Sequence, residues 1–177
     1  EVMTAEGEPL KRYPLAIAQR FSPEASFQIQ YFLQLALREG TGQSVAHRLP
    51  QDLALAGKTG TSNDQRDSWF AGFSGEHLAV VWLGRDDNQP TPLSGASGAL
   101  QVWADLMQGL PTQGLALTPP GDLSFDWLDE QSGRLSAEHC EAAVWLPLRE
   151  GQRPEVDKSC RADSDEKPGW WRRLWSR

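Results

Sequence analysis

Between positions 57 and 61 the chain reads Gly57-Lys58-Thr59-Gly60-Thr61, an ammonium group and two hydroxyls set among residues without bulk. Two chemistries use such a string. In a phosphate-binding loop, a further glycine stands five positions before the Gly-Lys pair so that backbone N–H groups can wrap the phosphates. Here that position is Asp52, whose carboxylate would repel them. The second chemistry is acyl transfer to a serine, in which a strand carries a lysine, a hydroxyl and a glycine beside the reacting carbonyl. Lys58 would lower the cost of developing negative charge and support proton movement at the nucleophile. Thr59 and Thr61 would offer hydroxyl donors to a substrate carboxylate. Gly60, lacking a side chain, would let an extended peptide lie along the strand edge, with the backbone N–H of Thr61 aimed at the acyl oxyanion.

Other chemically capable residues do not converge. His47, His77 and His139 are scattered through turns without a second ligand at metal spacing, so no metal site and no cofactor is expected. Asp86 and Asp87 are adjacent on a loop, point apart, and cannot flank one glycosidic bond. Trp69, Trp82 and Trp103 fall on element faces and read as core or substrate-wall residues.

Several elements would position the lysine. Ser22-Pro23 supplies a helix cap and a first-turn proline, Phe27, Tyr31 and Leu35, with Phe32, Leu33 and Leu37 offset, recur at helical spacing, and Gly40 is the expected stop. After Gly42 and Pro50, the run from Leu53 to Thr61 reads as a strand bringing Lys58 to a sheet end or edge. Ser68–Phe73 and Leu78–Leu83 flank Ser74-Gly75-Glu76-His77, a hairpin signal, so three antiparallel strands are expected. Ser97–Gln108 reads as a second helix with Leu100, Trp103, Ala104 and Met107 inward. The fold class is α+β, helices packed on an antiparallel sheet. Past Pro119-Pro120-Gly121, short strand-like runs at Phe125–Leu128 and Ala143–Leu146 suggest a small appended lobe.

At 177 residues, with 39% apolar and 23% charged content, the chain is long enough for one sizeable core. Its net charge of −7 is concentrated: residues 121–166 hold 12 acidic against 5 basic side chains, and the remainder is balanced. No clustered basic face is available for a phosphate backbone, which sets nucleic acid aside. The longest apolar run, Leu78–Leu83, is far short of the roughly 20 residues that span a bilayer. The start at Glu1-Val2, without an initiator Met or a signal-like segment, suggests a cut inside a longer protein. Cys140 and Cys160 are either a disulfide in an oxidising compartment or two free thiols. A staple there would contribute roughly 3 kcal/mol to a lobe with little core of its own.

Leu55–Asn63, Asp67–Phe73, Trp82–Thr91 and Gly95–Ala99 closely resemble, in order and spacing, the transpeptidase domain of class A penicillin-binding proteins, of the 1B type. The Arg38-Glu39-Gly40-Thr41-Gly42 turn and the late cysteine pair resemble that type too. The resemblance runs from about Phe21 to Pro120 and more loosely to Cys160. It implies a partial serine β-lactamase-like fold and part of a serine D,D-transpeptidase. Such an enzyme acylates itself with a D-Ala-D-Ala stem peptide, releases D-Ala, and passes the acyl group to an amine. Stem peptides and β-lactams are the implied partners, and a bifunctional enzyme with a glycosyltransferase domain, held in the periplasm by an inner-membrane anchor, is the implied parent.

The family's S-x-x-K and S-x-N elements are missing. The literal match Ser164-Asp165-Glu166-Lys167 falls in a charged tail before Pro168, and Ser62-Asn63-Asp64 has the wrong order. The nucleophile is therefore expected upstream of Glu1, and the chain alone is expected to be inactive. The expected organisation is a transpeptidase portion over 1–118, the small lobe over 119–160, for which a Cys140–Cys160 staple is one of the two readings, and a disordered tail over 161–177. Within the tail, Gly169–Arg177 carries three Trp and three Arg and suggests contact with an anionic membrane surface or a partner protein. The alternative function is a non-enzymatic interaction module recruiting partners through the acidic lobe and this tail.

Overall fold

The computed structural model describes residues 2–11, 14, 16–50, 53–116 and 118–156. A short exposed hairpin, β1 (Val2–Met3) and β2 (Pro9–Lys11), opens the chain. Its residues show no hydropathic alternation by which it could be anticipated.

The first helix, α1 (Pro23–Arg38), forms as its sequence requires. Ser22 sits in extended backbone, its Oγ accepts the Ala25 N–H at 3.2 Å, and Pro23 occupies the first turn, where no N–H is needed. Gly40 follows the cap, but its φ is not positive. Space, and not handedness, selects glycine here. A Cβ at Gly40 would lie 2.9 Å from the Ala36 carbonyl oxygen, and one at Gly42 would lie 2.6 Å from Leu37 Cα. The Gly42 N–H donates to Ala36 O at 3.0 Å, so residues 40–42 fold back over the last helical turn before a single-turn helix, α2 (Gln43–Ala46).

Three antiparallel strands follow, β3 (Ala56–Thr61), β4 (Ser68–Phe73) and β5 (Leu78–Leu83), in that spatial order. Lys58 lies opposite Ala71, which lies opposite Val80; Gly60, Trp69 and Trp82 align two pairs further on. The first strand is shorter than the apolar run from Leu53 suggests, because Ala54 O instead accepts the Leu115 N–H at 2.8 Å. In the β4–β5 turn, Ser74 Oγ accepts the His77 N–H at 2.9 Å and the Glu76 N–H at 3.2 Å.

The helix α3 (Ala99–Gly109) starts two residues after Ser97. Its cap comes from another element: Ser68 Oγ accepts the Ala99 N–H at 2.8 Å and donates to Ser94 O at 2.7 Å. Leu100, Trp103, Ala104 and Met107 are buried, as the periodicity requires, and pack with Leu37, Val45, Leu55 and Phe70. The Trp103 ring lies 4.8 Å from that of Phe70. Gly72 admits it, since a Cβ there would approach the indole to 2.7 Å. Truncating either ring to Ala would cost about 3–5 kcal/mol.

The last pair, β6 (Leu123–Asp129) and β7 (Ala143–Arg149), is antiparallel with Trp127 opposite Trp145. It docks on the N-terminal half of α1. Phe27 and Tyr31 meet Phe125 edge-on, at 6.2 and 5.0 Å. Gln28 Nε2 donates to Pro147 O at 3.0 Å, and the Tyr31 hydroxyl donates to Trp145 O at 2.9 Å. Burial, with Glu39 nearby, pushes the Tyr31 phenol up to about 12. Arg149 Nη2 reaches Ser22 Oγ at 3.1 Å and Glu24 Oε2 at 3.4 Å. Glu24 is held below the usual carboxylate range by its own backbone N–H and the Ser22 hydroxyl, with Arg149 adding to the effect.

Cys140 is disulfide-bonded. Cys160, the proposed linker from 161 and the Trp/Arg segment lie outside the described residues. The architecture is α+β, with helices packed on an antiparallel sheet.

Candidate functional site

β3 is an outer strand of its sheet, and the hydrogen-bond alternation decides which of its backbone groups remain open. Ser62 N–H donates to Asp67 O at 3.1 Å just beyond the β3–β4 ladder, which makes Ser62 and Asp67 a bonded pair. Alternation in an antiparallel ladder then turns the backbone groups of Gly60, Lys58 and Ala56 toward β4. The same count from the Ser74 N–H to His77 O bond at the far end of β4 turns Ser68, Phe70 and Gly72 toward β5, leaving Trp69 and Ala71 for β3. Both ends agree. Gly57, Thr59 and Thr61 therefore present their N–H and C=O groups at the outer edge, where no other described strand pairs with them. This edge can accept an extended chain.

The side chains divide by face. Thr59 and Thr61 share the face of Phe70 and Ser68, toward α3, while Lys58 lies on the opposite face with Trp69, Val80 and Trp82. That opposite face is open: Val80 is 56% exposed, and the paired rings of Trp69 and Trp82, 6.1 Å apart, are each nearly half exposed. These two indoles are not core residues; Trp103 is. From its face Lys58 curls over the edge, its Nζ donating to Thr59 O at 3.1 Å and to Thr59 Oγ1 at 3.2 Å. Thr59 Oγ1 also shares a 2.8 Å hydrogen bond with Thr41 Oγ1, from the turn after α1.

A second loop seats on the other end of the strand. Gly95 N–H donates to Thr61 Oγ1 at 2.8 Å. The approach is so close that a Cβ on Gly95 would lie 2.6 Å from Gly60 O and 2.7 Å from Trp69 O. As an acceptor in that bond, the Thr61 hydroxyl keeps its own proton for donation. The same loop is fastened to the β3–β4 turn: Thr91 donates through N–H and hydroxyl to Gln65 O at 2.9 and 2.7 Å, and Arg66 Nη1 donates to Asn88 O at 2.9 Å. Asp67 accepts the Trp82 indole N–H at 2.9 Å, which holds its carboxyl below the ordinary range with help from Ser62.

Lys58, Thr59, Gly60 and Thr61 thus lie together on one strand edge. The remaining candidates stand apart from it. Asp87 is clasped by Arg85 at 2.6 and 2.9 Å, which drops it to about 2, and Asp86 is exposed beside it. His47 is exposed, and His77 Nδ1 lies 3.3 Å from Thr112 Oγ1. Among the described residues, no group of three or more His, Cys, Asp or Glu is placed to hold a metal ion. No helix among them is long and apolar enough to cross a membrane. Sequence reasoning missed Thr41, Gly95 and Ser68 as parts of the site. Only the short Arg38–Gly42 and Gly95–Ala99 strings pointed their way, and neither has a periodicity to interpret.

Comparison with known proteins follows the same lines. No family model matches the chain. Penicillin-binding protein 1B of Vibrio cholerae is 36% identical over 171 residues, 96% of this chain. Penicillin-binding protein 1B of Escherichia coli is 40% identical over 108 residues, 60% of this chain. The chain spans 21% and 13% of the length of these two relatives. Among solved structures, penicillin-binding protein 1A from Haemophilus influenzae superposes with a TM-score of 0.63 and 25% identity, covering 78% of this chain and 22% of that one. With several separated motifs, a fold and two relatives in agreement, the chain belongs to the class A penicillin-binding proteins, of the 1B type.

Proposed function

We propose that this chain supplies the substrate-edge half of a serine D,D-transpeptidase that cross-links peptidoglycan stem peptides and reacts with β-lactams. The observation that carries this reading is the open edge of β3, where no described strand pairs with the outward backbone groups of Thr59 and Thr61 and where Lys58 Nζ folds onto the Thr59 carbonyl and hydroxyl. A stem peptide would add as a strand along that edge. Its scissile carbonyl oxygen would take up the Thr61 N–H as negative charge develops, and its terminal carboxylate would meet Thr59 and Thr61 hydroxyls and the Lys58 charge. Gly60 keeps the path clear. The attacking serine, the lysine of S-x-x-K and the S-x-N element would come from outside these 177 residues, since the one literal S-x-x-K string, Ser164–Lys167, falls in the charged tail before Pro168 and no S-x-N string occurs. A companion glycosyltransferase domain, a periplasmic setting and an inner-membrane tether belong to the same proposal, and the disulfide at Cys140 favours an oxidising compartment. The division into 1–118, 119–160 and 161–177 is retained as its working organisation.

The test is labelling with a fluorescent penicillin. In the full-length protein carrying this segment, Lys58→Ala is expected to slow labelling by at least about tenfold, and the isolated chain of 19.7 kDa is expected to stay dark. Unchanged labelling of the variant would sink the assignment of Lys58. A bright band from the isolated chain would sink the idea that the nucleophile lies elsewhere. The alternative, an interaction module recruiting partners through the acidic lobe and the Trp/Arg tail, rests in part on a tail that lies outside the described residues.

A further inference from the structure

We propose that Thr41 is a positioning residue that sets the proton of the Thr59 hydroxyl, an inference that rests on the substrate-edge reading of β3 given above. The case is a count of donors and acceptors. Thr59 Oγ1 receives the Lys58 ammonium at 3.2 Å and stands 2.8 Å from Thr41 Oγ1. A hydroxyl has one proton to give and two lone pairs to fill. If Thr41 is the donor, both lone pairs of Thr59 are engaged by Lys58 and Thr41, and its one proton is left to face the outer edge. An anionic group arriving there meets a donor already oriented. If Thr59 were the donor, its proton would be consumed inside the pair. Whichever way the Thr41–Thr59 proton lies, the two hydrogen bonds on Thr59 Oγ1, one of them from a charged donor, also confine its side chain to one rotamer before substrate arrives, which lowers the ordering cost of binding.

The backbone around Thr41 is built to hold that hydroxyl still. Gly40 N–H donates to Leu35 O at 3.2 Å and Gly42 N–H to Ala36 O at 3.0 Å, pinning the turn on both sides of Thr41. Neither glycine has room for a side chain against the end of α1, where Leu37 is buried in the core. Thr41 is thus fixed to the helix, Thr59 to the sheet, and their hydroxyls meet between the two.

The experiment is a double-mutant cycle in the full-length protein carrying this segment, read as the second-order rate constant for acylation by a fluorescent penicillin and as its division between binding and the acylation step. Thr41→Val keeps shape and removes the hydroxyl; Thr41→Ser restores it. Thr41→Val is expected to lower the rate constant by roughly five- to tenfold, about the loss of one hydrogen bond. Thr41→Ser should recover it to within about twofold. In a Thr59→Val background, Thr41→Val should have no further effect, because there is then no hydroxyl to orient. A merely structural turn residue would behave otherwise, so additive losses in the double variant would overturn the proposal. So would a Thr41→Val enzyme acylated at the parental rate while Thr59→Val is slowed. If Thr59→Val and Lys58→Ala both acylate normally, the substrate-edge reading itself has failed, and Thr41 falls with it.

Discussion

Adding one methyl group at Gly95 would separate the loop from the strand it rests on. A Cβ there lies 2.6 Å from Gly60 O, 2.7 Å from Trp69 O and 2.9 Å from Gly60 N, all backbone atoms of a paired ladder that cannot swing aside. Restoring ordinary contact at about 3.4 Å requires the loop to retreat by about 0.8 Å from Gly60 O. That retreat stretches the 2.8 Å Gly95 N–H to Thr61 Oγ1 bond to about 3.6 Å, beyond a hydrogen bond. Overpacking of this kind costs about 1–3 kcal/mol, and the lost bond about 1 kcal/mol more. In a chain of this length each kcal/mol lowers Tm by roughly 2–4 °C, so Gly95→Ala should melt about 5–15 °C early. Thr61 loses its fixed hydroxyl at the same time, and acylation by a fluorescent penicillin in the full-length protein should slow by about tenfold, the equivalent of one hydrogen bond. The control is Gly109→Ala at the end of α3, where nothing beyond the chain neighbours and the backbone of its own helix lies within 4 Å of the added Cβ and φ is not positive. That variant should keep parental Tm and rate. A Gly95→Ala protein that melts and acylates like Gly109→Ala would refute the close seating of this loop on β3.

Two other outcomes follow from the junction between α1 and the last strand pair. Ser22→Ala removes the cap acceptor for the Ala25 N–H and one of the two groups that engage Arg149, and should cost about 1–2 kcal/mol in urea unfolding; an unchanged midpoint would mean the cap is idle. The Tyr31 phenol, pushed up to about 12 by burial and Glu39, ionises in the unfolded chain near 10. The folded state holds that proton more tightly, so this contribution is whole below about pH 10 and is lost as pH rises toward 12. Phenolate absorbance should show a late-titrating tyrosine that disappears in Tyr31→Phe; two tyrosines titrating together at the ordinary value would contradict the burial.

The parts of this fold that were legible beforehand are those with a local cause. Ser22-Pro23 caps its own helix, the Ser74–His77 turn closes its own hairpin, and Leu100, Trp103, Ala104 and Met107 share one helical face. What escaped prediction depends on residues far apart in the chain. The start of α3 is set by Ser68, 31 positions before Ala99, and the start of β3 by Leu115. At the proposed site, the string Lys58 through Thr61 drew attention by its residue types alone. The partners of Thr59 and Thr61 did not, because Thr41 and Gly95 belong to turns whose glycines serve close approach and carry no periodic signal. The exposed Trp69–Trp82 pair was ambiguous for a related reason: a strand pattern tells two faces apart but not which one is covered.

The contacts between α1 and the final strand pair also bear on the order in which this chain can fold. Gln28 meets Pro147 across 119 positions, Tyr31 meets Trp145 across 114, and Arg149 meets Ser22 across 127. During synthesis at about 5–20 residues per second, α1 leaves the ribosome several seconds before β7 exists to cover it. Through that interval Phe27 and Tyr31 lack their aromatic partner Phe125, although the opposite end of α1 already has β3 to pack against. The partners that cover the C-terminal end of α1 are thus synthesised well before those that complete the aromatic seam at its other end.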